Sequence, residues 1–217
     1  MNKIIIANWK SHPDTLAEAQ ELFKAEIESA QKYPNVQTII YPPDKFLEQL
    51  TGSAVRTDYI LVGHSSRREE GETDEQINKK LTTALEGQIT PVLFMGEREG
   101  ESKENVLTVQ LTKDLAGLSA DQISKVLFTY EPVWAISTNP GGEADTPENA
   151  VKAVKFIQQF LFKNYNLPPS PHLYGGSVKE SNVAEFLKYP EIGGAVVGGA
   201  SLHSEEFTNI LKIVSFL

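Results

Sequence analysis

KVLFTYEPVWAIST, Lys125 to Thr138, decides the fold. Its first six residues, Lys125–Tyr130, form a mostly apolar run long enough for a parallel strand buried on both faces. Glu131 follows and Pro132 closes the run, so a carboxylate stands where a buried strand gives way to a loop. The C-terminal ends of parallel strands are where α/β folds keep their chemistry, and a base placed there can be shut in by the loop that follows. Taken alone, such an acid is more often a helix cap or a surface charge. Three other strand ends change that balance.

On either side of this run, short apolar stretches alternate with longer amphipathic ones, the pattern of repeated βα units around a parallel sheet. Strands are predicted at Ile4–Trp9, Thr38–Tyr41, Tyr59–Gly63, Pro91–Met95, Val126–Glu131, His172–Tyr174 and Ala195–Gly198, seven in all. The first helix is predicted over Asp14–Gln31, with Leu16, Ala19, Leu22, Phe23, Ile27 and Ala30 on its buried face. Asp44–Leu50, Asn105–Leu115, Glu180–Lys188 and Glu205–Phe216 read as further helices. Thr73 with Gln76 forms a capping box ahead of Ile77, Leu81 and Leu85. Thr146 as N-cap and Pro147 at the first helical position open another helix, with Val151, Val154, Ile157 and Leu161 facing the core. A helix after the last strand suits a closed (β/α) barrel and also some open sheets. No GxGxxG or GxxxxGK[ST] element supplies a nucleotide site for an open doubly wound sheet, so the barrel is preferred.

Composition narrows the function. The 217 residues fit one α/β domain better than two small ones, and the expectation is a single domain over 1–217. A net charge of −9 argues against nucleic acid or an anionic membrane as partner. No stretch has the roughly 18 apolar residues of a membrane span, and the run in MNKIIIANWK is too short for a signal peptide, so a cytoplasmic protein is expected. With no cysteine, thiolate nucleophiles and Cys-based zinc sites are excluded. His12, His64, His172 and His203 lack metal-ligand spacing, and no metal is expected. An acidic surface opposes an anionic substrate, so any such site needs a lysine and aligned backbone N–H groups.

Those donors are found at the other strand ends. Asn8 and Lys10 in ANWKSH are one residue apart and, in an extended chain, point to the same side. His64 follows Gly63 in ILVGHSSRREEGETDE, with Ser65 and Ser66 placed to start a helical turn, which favours a neutral imidazole. Arg67, Arg68, Glu69, Glu70 and Glu72 read as a structural charge network. YGGSV (Tyr174–Val178) and VVGGASL (Val196–Leu202) each place a glycine pair just past a strand, where backbone N–H groups can approach an anion. A surface lysine, a capping histidine and two tight turns are the bland alternatives.

Taken in order, ANWK, GHSSRR, GETDE, YEPVWAIST, YGGSV and VGGASL resemble the triosephosphate isomerase family over nearly the whole chain. The resemblance implies a TIM-type barrel and the interconversion of dihydroxyacetone phosphate and glyceraldehyde 3-phosphate through an enediolate, without a cofactor. It implies Glu131 as base, His64 as neutral electrophile and Lys10, with Asn8, as electrostatic partner. Main-chain N–H groups at Ser137, Ser177, Gly198 and Gly199 would hold the phosphate, and Pro132–Asn139 would form a lid that excludes water. A phosphate-binding module without turnover is the competing class. Another phosphosugar isomerase is disfavoured by the short loops.

The chain departs from the family in three places. GHSERR of the family is GHSSRR here, with Ser66 replacing an acid. The hinge Gly-Thr-Gly-Lys is Ser137-Thr138-Asn139-Pro140. A barrel of this type takes about 250 residues, so roughly 30 are missing, the size of one βα unit. Between Leu50 and Tyr59 there is no room for a strand, crossover and helix, and the third βα unit is expected to be absent or reduced to Ser53–Arg56. In the family the third loop reaches into the neighbouring subunit, so the usual dimer is not expected; a monomer or an altered oligomer is.

Overall fold

A computed structural model describes residues 2–50, 58–136 and 145–217. Its strands are β1 (Ile4–Asn8), β2 (Gln37–Tyr41), β3 (Tyr59–Val62), β4 (Thr90–Met95), β5 (Leu127–Tyr130), β6 (His172–Tyr174) and β7 (Ile192–Val197). Its α-helices are α1 (Leu16–Lys32), α2 (Asp44–Leu50), α3 (Ser65–Glu69), α4 (Asp74–Glu86), α5 (Lys103–Asp114), α6 (Ala120–Ile123), α7 (Pro147–Tyr165), α8 (Val183–Leu187) and α9 (Ser204–Val214). All seven predicted strands are present, and four end one residue early, leaving Trp9, Gly63, Glu131 and Gly198 just beyond the sheet. Among the described residues no helix is long and apolar enough to cross a membrane.

The chain divides into two compact units, residues 1–56 with 177–217 and residues 57–176. In the first, β1 pairs in parallel with β2 on one side and β7 on the other, Ile4 lying opposite both Gln37 and Gly194. In the second, β3, β4, β5 and β6 pair in parallel in that order. The strand interiors are apolar on both faces: Ile5, Ile6 and Ala7 of β1 and Val92, Leu93 and Phe94 of β4 are buried.

The caps fall where the sequence placed them. Thr73 Oγ1 accepts from Gln76 N while Gln76 Oε1 accepts from Thr73 N, closing the predicted box on α4. Thr146 caps α7 with Pro147 at its first position, and Asn166 ends that helix in the left-handed conformation. Two capping boxes escaped prediction, Thr15–Glu18 on α1 and Ser119–Gln122 on the one-turn helix α6.

The buried face of α1 needs correcting. Its fully covered residues are Ala19, Phe23, Glu26 and Ser29, whereas Leu16, Leu22, Ile27 and Ala30 are half-buried flanks. The reason is polar: both Glu26 carboxyl oxygens lie at 3.1 and 3.2 Å from the Trp9 indole N–H, and Ser29 Oγ meets Thr208 Oγ1 of α9 at 2.6 Å. A periodicity of apolar residues cannot register a stripe whose centre is polar.

Arg68 and Glu72 take part in a structural charge network, as the sequence suggests. Arg68 donates to Gly63 O, Asp74 and Asp114, and Glu72 pairs with Lys80, which ties the run to α4 and α5.

Candidate active site

Gly63 carries the chain out of β3 with φ +75°, a left-handed turn that delivers His64 to the N-terminus of α3. His64 is itself the cap: its Nδ1 accepts from Ser66 N at 3.2 Å, satisfying one of the orphan N–H groups of the first turn. A backbone N–H can only donate, so Nδ1 carries no proton and the neutral ring holds its hydrogen on Nε2. That Nε2–H faces Glu131 Oε1 at 3.0 Å. The second carboxylate oxygen, Oε2, accepts from Ser65 N at 2.9 Å. His64 also lies against Phe94, with ring centroids 5.2 Å apart. Both partners are buried, at 8% exposure for His64 and 3% for Glu131.

Glu131 is fixed by main chain on two sides. Its N–H donates to Met95 O at 2.7 Å, and a Cβ added to Gly96 would lie 2.0 Å from its carbonyl oxygen. On the other side, a Cβ at Gly175 would come within 3.4 Å of the Glu131 Cβ. Gln110 holds Gly96 in place, its Oε1 accepting from Gly96 N at 3.0 Å. Sequence reasoning missed Gly96; the signal available was a glycine directly after the apolar run of β4.

The segment after Glu131 is tied to Glu97. Tyr130 Oη donates to Glu97 at 2.9 Å, Trp134 Nε1 donates at 3.1 Å, and Val133 N reaches Glu97 O at 3.0 Å. Burial, with Glu97 beside it, holds the Tyr130 hydroxyl far above the usual phenol range, so it remains a donor. Val133–Ala135 form a single 3-10 turn.

In the other unit, Asn8 is the buried last residue of β1, and its Oδ1 accepts from Lys10 N at 3.1 Å. The expectation that Asn8 and Lys10 share one side of an extended chain is not met: β1 stops at Asn8 and Lys10 has φ 55° in a turn. The lysine is exposed, with its Cε 3.7 Å from where a Cβ on Gly198 would stand, an ordinary contact distance that sets the ammonium stem beside Gly198. Gly198 is half-buried and Gly199, which starts a 3-10 turn, is exposed; among the described residues neither N–H has an acceptor. Ser177 is half-buried, and its carbonyl accepts from Asn182 at 3.0 Å. Ser137, the altered hinge, the lid beyond Ile136 and Ser53–Arg56 lie outside the described residues.

The described contacts therefore join His64 with Glu131 in one unit, and Asn8, Lys10 and Gly198 in the other. A parallel α/β fold with chemistry-bearing residues just past its strand ends is that of the TIM-type enzymes. The model of the family described as triosephosphate isomerase matches residues 53–214. The chain is 34% identical over 249 residues to the triosephosphate isomerase of Dictyoglomus turgidum, with 97% of this chain and 98% of that one covered. It is 33% identical over 247 residues to that of Streptococcus mutans serotype c, covering 97% and 98%, and 34% over 252 residues to that of Carboxydothermus hydrogenoformans, covering 98% and 99%. The chain belongs to the triosephosphate isomerase family. About 210 of its residues, 97% of 217, are spread over 249 aligned positions in the first comparison, so close to 40 positions have no residue here. That is room for one βα unit.

Proposed function

We propose that the chain interconverts dihydroxyacetone phosphate and glyceraldehyde 3-phosphate by proton transfer through an enediolate. The observation that carries this is the buried pair of Glu131 and His64, a carboxylate facing an imidazole that carries its proton on Nε2. Substrate displaces that contact: its carbonyl oxygen takes the Nε2–H from the carboxylate, and the adjacent carbon presents its C–H to Glu131. The base removes that proton, the electron pair forms the carbon–carbon double bond, and the oxygen gains negative charge. A preorganised donor aimed at that oxygen stabilises the charge as it develops, with the Lys10 ammonium and Asn8 contributing on the same reading. Glu131 then returns the proton to the neighbouring carbon, and the hydroxyl proton shifts between the oxygens. None of these steps calls on a cofactor.

The phosphate is held, on this reading, by the N–H groups of Ser177, Gly198 and Gly199, with Ser137 as a fourth donor; that the Gly198 and Gly199 N–H groups meet no acceptor among the described residues supports it. On the same reading residues 1–217 work as a single domain. The third βα unit is, on this reading, absent or reduced to Ser53–Arg56, which takes away the loop through which the family dimer is made, and a monomer or an altered oligomer is the proposed state. A cytoplasmic location belongs to the same reading.

A coupled isomerase assay on the purified chain, with its solution mass taken in the same buffer, tests this. Turnover should fall by more than a hundredfold in Glu131→Gln and in His64→Ala. Phosphate-analogue binding without turnover in the parent would overturn the enzymatic reading, and a mass of about twice 24.0 kDa with the family's interface would overturn the monomer.

A further inference from the structure

The Ser66 hydroxyl has a place in the site that the family resemblance does not assign to it. Ser66 Oγ lies 2.9 Å from His64 Nδ1, the same nitrogen that accepts from the Ser66 backbone N–H at 3.2 Å. The backbone contact fixes Nδ1 as an acceptor, so the hydroxyl, which can either give or take, has to donate there. One nitrogen thus receives two donors from one residue. The opposite side of the ring is engaged by Glu131 Oε1 at 3.0 Å, and the face by Phe94; of the groups described against the imidazole, Glu131 is the titratable one.

We propose that Ser66 is a positioning residue for His64: its hydroxyl, donating to Nδ1, locks the Nε2–H tautomer and makes that proton a stronger donor to the substrate oxygen. The proposal rests on His64 acting as the electrophile of the isomerase reading. Its physical basis is polarisation through the ring. A donor at Nδ1 withdraws density from the lone pair, opposes protonation there, and raises the acidity of the N–H across the ring. The gain is larger against the enediolate than against the ground-state carbonyl, because charge grows on the oxygen that Nε2–H contacts. The hydroxyl should therefore act on kcat more than on KM.

The glutamate that stands at this position in the family motif has no proton to give when ionised, so the second donor is a feature of the serine in this chain. Ser66 is exposed, and water competes for its hydroxyl, which limits the effect to that of one neutral hydrogen bond.

The test compares the parent with Ser66→Ala and Ser66→Thr. Alanine keeps the backbone N–H that satisfies the first turn of α3, so the helix and the thermal midpoint should hold. Its kcat should fall about three- to tenfold with KM nearly unchanged, and threonine, which retains the hydroxyl, should restore it. Independently of turnover, the 15N resonance of His64 Nδ1 in the resting protein should move in alanine toward that of an unbonded pyridine-type nitrogen, and stay in threonine. An unmoved Nδ1 resonance in alanine overturns the hydrogen bond, and a moved resonance with unchanged kcat overturns its catalytic consequence. If the parent itself lacks isomerase activity, the functional reading fails, while the Nδ1 resonance still decides the contact.

Discussion

Replacing Gly96 with alanine should displace the base without touching it chemically. The added Cβ would stand 2.0 Å from the Glu131 carbonyl oxygen and 2.6 Å from its carbonyl carbon. An ordinary C···O approach is about 3.3 Å, so something must move by about 1.3 Å. The obstacle is backbone, so no side-chain rotation relieves it. If the end of β5 yields, the Glu131 carboxylate is carried about an ångström away from His64 Nε2. If the Gly96 segment yields, the Gln110 clamp and the Glu131 N to Met95 O bond are strained instead. A misplacement of about 1 Å costs on the order of a hundredfold in rate, and overpacking costs about 1 to 3 kcal/mol of stability. Coupled isomerase kinetics and thermal unfolding of Gly96→Ala should show both losses together. A variant with kcat within threefold of the parent and an unshifted melting curve would refute this account of how Glu131 is held.

Burial holds the His172 imidazole down to about 4 from its ordinary 6.5, with its ring against Phe128. A depressed histidine gives stability that is complete above pH 6.5 and lost as pH falls toward 4, about 3 kcal/mol for a gap of about 2.5; denaturant unfolding across that range should show the loss, and His172→Phe should flatten it. Glu26 has the opposite sign. Burial raises its carboxyl well above 4.5 despite the Trp9 hydrogen bond, so its contribution is complete below pH 4.5 and declines as pH rises through the raised value. Glu26→Gln, which mimics the protonated acid, should remove that decline in unfolding curves taken at pH 5 and pH 8, and an unchanged pH slope would count against it.

Strand ends were legible because burial on both faces leaves an uninterrupted apolar run, and helix starts because a cap needs particular side chains at particular spacings. Glu131, His64, Asn8 and the glycine pairs could all be placed at strand ends on those grounds. The buried face of α1 could not, because Glu26 and Ser29 sit in its middle on account of Trp9 and Thr208, which are remote in sequence. Lys10 escaped for a local reason: alternation assumes an extended chain, and the chain turns after Asn8 with φ 55° at the lysine. Gly96 escaped because its role depends on β4 lying beside β5, a pairing that spacing along the chain does not reveal.

The two tryptophans of the chain are divided between the two compact units, and each indole N–H is bound to a glutamate side chain: Trp9 to Glu26, Trp134 to Glu97. Each half of the molecule thus carries its own built-in fluorophore, quenched or shifted by its own acid. Phenylalanine at either position leaves a single-colour reporter for the other unit, so light emission alone can tell whether the two units unfold in one step or two.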